Sequence, residues 1–171
     1  MHTITELSLV RNPESTLPSD PESLRSEYAR STTQVLELVD EWAQRDEPVS
    51  FREFEQALRL AVAGLARAAV ALFLALRETK LSQNCPSRIV RGKRTFRRAP
   101  AQGRNLTTWF GVVRYVRTYF REVTAVGRRH GFYPLDESLG LSSDRFSWNV
   151  LSFGVLLALK LSFSEARKIL V

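Results

Sequence analysis

A chain of 171 residues with 44% hydrophobic and 25% charged side chains is too apolar for intrinsic disorder and long enough to bury one real core. Its only cysteine, Cys85, excludes an intrachain disulfide and a cysteine-rich zinc site, and fits a reducing compartment. The formal charge of +7 is concentrated: Arg88 to Arg129 holds 12 Lys and Arg against one acid, Glu122, while the remainder holds 13 basic and 17 acidic residues, so one segment is built to meet an anion.

Residues 1 to 20 are polar and carry Pro13 and Pro18, which predicts a mobile tail with neither the basic start nor the apolar core of a secretory signal. From Pro21 to Arg45, Leu24, Tyr28, Val35, Leu38, Val39 and Trp42 recur at helical spacing, although Ser31-Thr32-Thr33 weakens the middle of that helix. Pro48 closes it. Ser50-Phe51-Arg52-Glu53 has the form of a capping box and opens a second helix running to about Leu81.

The apolar stripe of this second helix is Phe54, Leu58, Val62, Leu65, Ala69, Leu72 and Leu76, flanked by Ala61, Ala68 and Ala75. Steps of four and three make a heptad-like seam, and small alanines permit close helix approach. The seam serves packing against the first helix; a self-association seam through Leu58, Val62, Leu65, Leu72 and Leu76 is the alternative. Residues 58 to 76 are long enough to span a bilayer, but Arg59 and Arg67 lie inside the stretch. An arginine near the bilayer centre costs at least ~2.5 kcal/mol, so a soluble helix and no membrane partner are expected.

After Pro86, the stretch SRIVRGKRTFRR places a Gly-Lys pair between two short β-compatible runs, the pattern of a hairpin. APAQGRN follows as a loop. In residues 107 to 119, ten of thirteen residues are β-branched or aromatic, which predicts a strand with Gly111 as a bulge or bend. On a strand, Val113, Tyr115, Arg117 and Tyr119 share one face, and Val112, Arg114, Val116 and Thr118 the other. Each face thus carries one arginine, and a buried strand tolerates neither without a partner.

Residues 125 to 143 are turn-rich. FSWNVLSFGVLLALK, residues 146 to 160, is apolar nearly all round and predicts a buried helix. A second capping box, Ser162-Phe163-Ser164-Glu165, opens a further helix through Ala166 and Ile169 to Val171, so the chain reads as interrupted. The expected class is α+β, mostly helical: a tail (1–20), a helical region (21–84), a basic β-element (85–130), and a connection with helices (131–171).

Several of these residues, taken in order, form a larger pattern. Thr108-Trp109-Phe110-Gly111-Val112-Val113-Arg114-Tyr115, with Arg117 and Tyr119, is followed by Pro134-Leu135-Asp136-Glu137-Ser138-Leu139-Gly140-Leu141 and then by Ser162-Phe163-Ser164-Glu165-Ala166-Arg167. The series resembles the N-terminal half of bacterial insertion-sequence transposases of the ISKra type, in the DDE group, over roughly residues 50 to 171. The resemblance implies a DNA-handling protein whose full-length relatives cleave and transfer DNA strands with divalent metal. It implies a helical region and β-segment ahead of a helix-turn-helix and a ribonuclease-H-like catalytic domain. The helix opening at Ser162 would correspond to the first helix of that helix-turn-helix. The recognition helix and catalytic domain have no counterpart here. Cysteines that family members place before the PLD motif are also missing from GRRHGFY, residues 127 to 133.

The expected nucleic-acid contacts are Arg88, Arg91, Lys93, Arg94, Arg97, Arg98 and Arg104, a run without an acid, extended by Arg114 and Arg117. Arginine forks match phosphate oxygens, and such contacts position a duplex without reading its sequence. Trp109 and Tyr115 could stack on bases but fit a core better. Asp136, Glu137 and Asp144 sit in a turn region, and Asp136 is expected as a turn or cap residue. Neither a catalytic set nor a metal or cofactor site is expected in this chain. It is expected to be non-enzymatic and cytoplasmic, on the nucleoid, with double-stranded DNA as partner and a homo-oligomer or a mixed oligomer with full-length transposase as assembly. Two other classes remain open: a dimerising interaction module that modulates the full-length enzyme, and a peripheral binder of anionic membranes.

Overall fold

The computed structural model describes residues 20–46, 50–123 and 130–160. Two long helices come first, α1 (Pro21–Ala43) and α2 (Phe51–Gln83). Four strands follow, β1 (Arg88–Arg91), β2 (Arg94–Thr108), β3 (Gly111–Glu122) and β4 (Gly131–Phe132), and then a short α3 (Pro134–Ser138) and α4 (Trp148–Lys160). The strands form one antiparallel sheet in the order β1-β2-β3-β4. The chain is therefore α+β and mostly helical, with a small sheet packed on long helices.

Asp20 caps α1, its Oδ1 accepting from the Ser23 amide at 2.9 Å. Those hydrogen bonds, the Ser23 contact first, hold the Asp20 carboxyl below its ordinary pKa. The Ser-Thr-Thr run does not interrupt the helix, because Thr32 and Thr33 hydroxyls bond back to the Tyr28 and Ala29 carbonyls and Ser31 is buried. Such back-bonding lets a weak helix former stay helical. α2 starts at Phe51 with Ser50 as N-cap, but the capping box is not made: Ser50 offers its backbone carbonyl to Glu53 N and no side-chain bond forms. Residues 1–19, Pro48 and the second capping box at Ser162 lie outside the described residues.

The two long helices meet at Trp42 and Phe54, whose rings lie 5.7 Å apart. Further along α2 the buried residues are Ala68, Ala71 and Leu74. Ala71 and Leu74 enter the core with Leu24 of α1, Leu106, Val113, Tyr115 and Leu135. By length and composition α2 could cross a membrane; in this fold those three residues are buried inside the protein.

The β1–β2 hairpin forms as expected, turning at Gly92-Lys93 with Gly92 at φ +59°. APAQGRN is not a loop. It belongs to β2, whose pairing with β3 is continuous except for a bulge between Ala99 and Gln102. Pro100, which has no amide to donate, sits within that bulge, where a ladder bond is already absent. Residues 107 to 119 are also not one strand: Trp109-Phe110 make a two-residue turn between Thr108 and Gly111. The Thr108 hydroxyl fastens it, accepting from Phe110 N and donating to Gly111 O.

Gly111 has φ +110° at the exit of this turn, a region that side chains rarely enter. Gly111→Ala should cost about 1–3 kcal/mol, read as a lower midpoint in denaturant; an unchanged midpoint would refute the strain.

The bulge changes which side of the sheet is covered. Directly opposed residues share a face, and on β3 the buried residues switch from Val113 and Tyr115 to Thr118, Phe120 and Glu122. α2 follows this crossover. Arg67 lies beside Gly111, Glu78 accepts both the amide and the hydroxyl of Thr118, and the Ser82 carbonyl accepts from Arg98. Each half of the sheet therefore buries one face and bares the other.

The connection after β3 contains β4 and α3, besides turns. Phe132 of β4 stacks on Phe120 and meets Phe96 edge-on. The 146–160 segment is helical from Trp148, but it is not buried: Trp148 is 64% and Leu159 78% exposed. Phe153 packs on Trp109 and the Trp148 indole donates to the Gly140 carbonyl, so the helix is held at its start. Apolar composition specifies a surface that favours burial, and no described element covers most of this one.

Candidate nucleic-acid interface

The nine basic residues expected to share one surface are divided by the fold into three groups. Arg104 and Arg117 point into the protein. Their side chains are 8% and 12% exposed, and both pair with Asp136, itself 11% exposed. Arg104 Nη1 lies 2.9 Å from Asp136 Oδ2, and Arg104 Nη2 donates to the carbonyls of Ser142 and Asp144. Arg117 stacks over the Tyr133 ring at 3.4 Å. The Tyr115 hydroxyl completes the set, donating to Asp136 Oδ1 at 2.7 Å.

Burial pushes the Tyr115 phenol pKa up, against the opposing pull of Arg104 and Arg117, which keeps the hydroxyl a donor. Burial also draws the Arg117 guanidinium pKa down from its ordinary value. These two arginines are thus corrected from surface contacts to internal ones: they tie β2 and β3 to α3. Asp136 is likewise more than a turn residue, because its carboxylate is the shared acceptor of two buried cations. A buried guanidinium needs such a partner, and the PLD tripeptide supplies it.

A second group surrounds the aromatic cluster at the hairpin end. Arg91 bonds bidentately to Glu137 at 3.0 and 2.8 Å and lies 3.5 Å over the Phe132 ring. Arg94 is 3.6 Å from Glu122. Arg98 donates to the end of α2 through Ser82. These side chains are exposed but partly engaged. Lys93 is exposed in the turn, and Arg114 is exposed on the other face of the sheet, beside Gly103.

The third group faces solvent without a carboxylate. Arg88 is opposite Arg97, and Arg97 is opposite Arg121, so three guanidinium side chains stand in one row across β1, β2 and β3. All three are exposed, and none takes part in an ion pair among the described residues. Strands lie about 4.8 Å apart, so each arginine is a direct neighbour of the next. Like charges placed opposite each other destabilise a sheet. Arg121 is absent from the sequence-based set. The signal that would find it is register, because only the bulge between Ala99 and Gln102 brings position 121 level with 97.

Beside the row, Arg97, Arg98, Ala99, Pro100 and Arg121 line a groove of about 270 Å³. Three of its five lining residues are cationic and none is acidic. This is a receptor for negative charge presented by a flat, rigid scaffold.

The proposed self-association seam is also divided. Leu58, Leu65 and Leu72 are half-buried on the stripe of Phe54, the residue that meets Trp42 of α1. Val62 and Leu76 remain exposed, and Phe73, half exposed, lies between them on the helix surface. Comparison with protein-family models, curated proteins and solved structures finds no match to this chain.

Proposed function

We propose that this chain is the DNA-binding and assembly portion of a transposase, working in DNA transposition on double-stranded DNA and leaving strand cleavage to a metal-dependent catalytic domain. The observation that carries this reading is the row Arg88–Arg97–Arg121, three exposed arginines with no carboxylate partner on one face of the sheet. An arrangement that repels itself in the free protein is stabilised by a polyanion, and guanidinium forks match phosphate oxygens. The order of the TWFGVVRY, PLDESLGL and SFSEAR motifs supports a transposase over other DNA-binding proteins. Its place would be the bacterial nucleoid.

Fluorescence anisotropy with a labelled duplex across a salt series tests the reading. Three phosphate contacts predict a log–log slope of about −2.7 or steeper; absence of binding at low salt would overturn it. The assembly half rests on apolar surface left open: Val62, Phe73 and Leu76 on α2, and Val155, Leu156 and Leu159 on α4. Light scattering on the same samples should give a mass above that of one chain, and a strict monomer would remove assembly from the reading.

A further inference from the structure

We infer that the groove at the β2 bulge is a phosphate-binding site in which Arg97 and Arg121 clamp one backbone phosphodiester of the nucleic acid. The inference rests on the DNA-binding reading and narrows it from a surface to a site with a residue that sequence reasoning missed.

Three independent features converge there. The first is register: Arg97 and Arg121 are directly opposed, so both guanidinium groups rise from the same level of the sheet and can approach one anion from two sides. The second is shape. The bulge between Ala99 and Gln102 interrupts the ladder, and Ala99 and Pro100 form a wall of the groove that Arg97, Arg98 and Arg121 complete. A small wall leaves room for a phosphate with its sugar, where a long side chain would fill the space.

The third feature is the fate of neighbouring charges. Every other strand arginine from β1 to Arg117, Arg88 and Arg114 excepted, has an acceptor: Arg91 has Glu137, Arg94 has Glu122, Arg98 has Ser82, and Arg104 and Arg117 have Asp136. The fold neutralises arginines where it needs them for packing and leaves the Arg97–Arg121 pair without an internal acceptor. That pair is opposed at close range, an arrangement a ligand anion would relieve. Arg98 reaches the same groove while one of its nitrogens is fixed on the α2 carbonyl of Ser82, which limits how far it can move. A membrane headgroup also presents phosphate, but a recess beside an arginine row suits a chain of evenly spaced phosphates better than a lipid surface.

The test uses the full chain and Arg121→Gln, with Arg52→Gln, an exposed arginine at the start of α2, as a charge-matched control. For duplex binding, Arg121→Gln should lose about tenfold in affinity at moderate salt and about 0.9 in salt slope, while Arg52→Gln changes neither. The free Arg121→Gln protein should melt about 1–3 °C higher than wild type, since a like-charge neighbour is gone. A rise in stability together with a loss of binding separates a ligand site from a structural arginine. Equal loss in both variants would mean diffuse attraction; it overturns the groove and leaves DNA binding standing. If no duplex binds, inorganic pyrophosphate followed by amide NMR decides the groove alone: shifts at residues 97–100 and 121 support it, and their absence ends it. Binding to phosphatidylserine vesicles in place of DNA, lost in Arg121→Gln, would overturn the nucleic-acid assignment.

Discussion

Asp136→Ala is expected to destabilise the protein by about 3–5 kcal/mol, the cost of removing one partner from a buried ion pair. Two guanidinium groups would be left in the interior without a counter-charge, and the Tyr115 hydroxyl would lose its acceptor. For a chain of this size the melting temperature should fall by roughly 6–20 °C. Asp136→Asn keeps the shape and one acceptor oxygen while removing the charge, so its loss should be smaller but of the same sign. Thermal unfolding followed by circular dichroism measures both. A change within about 0.5 kcal/mol for Asp136→Ala would mean that Arg104 and Arg117 do not depend on this carboxylate, and the internal role assigned to them would fail.

The triple substitution Arg88→Gln, Arg97→Gln, Arg121→Gln should do the opposite. It removes no internal contact among the described residues, since none of the three forms an ion pair there, so the fold should persist or gain stability. Duplex affinity should drop at least about 100-fold, because charge-assisted hydrogen bonds are worth roughly 1.5 kcal/mol or more each. The salt slope should shrink by about 2.7, one counterion for each phosphate released. Loss of affinity with an unchanged slope would point to altered structure rather than lost phosphate contacts. The two experiments together divide the basic segment into arginines that hold the sheet and arginines that meet a ligand.

That division explains how much of the molecule could be read beforehand. The long helices were legible because periodicity and Pro21 mark them, and the GlyLys hairpin because its turn chemistry is local. β2 was broken in two at APAQGRN because Pro100 and Gly103 are turn residues by composition, and only pairing with β3 reveals that they occupy and follow a bulge. The turn at Trp109-Phe110 was hidden for the converse reason, since two aromatics seldom announce a reversal; Gly111, at φ +110°, was the one signal.

For the site, the sequence gathers arginines along the chain but does not say which way each side chain points. Arg117 could be suspected of needing a partner. The identity of that partner, Asp136, is set by how α3 returns along β3, and that is a tertiary fact. Arg121 was passed over because it lies next to Glu122 and away from the dense run; the register that joins it to Arg97 spans 24 residues of chain. The burial predicted for 146–160 failed because hydrophobicity does not name an occupant.

The most direct test of the central claim is arginine footprinting. Treating the protein with phenylglyoxal, with and without a saturating duplex, and reading modification by mass spectrometry reports each guanidinium separately. Arg88, Arg97 and Arg121 should be reactive in the free protein and protected by DNA, Arg52 should react equally in both, and Arg104 and Arg117 should be unreactive throughout. Protection that bypasses the row, or strong reactivity of Arg104 and Arg117 in the folded protein, would contradict the account.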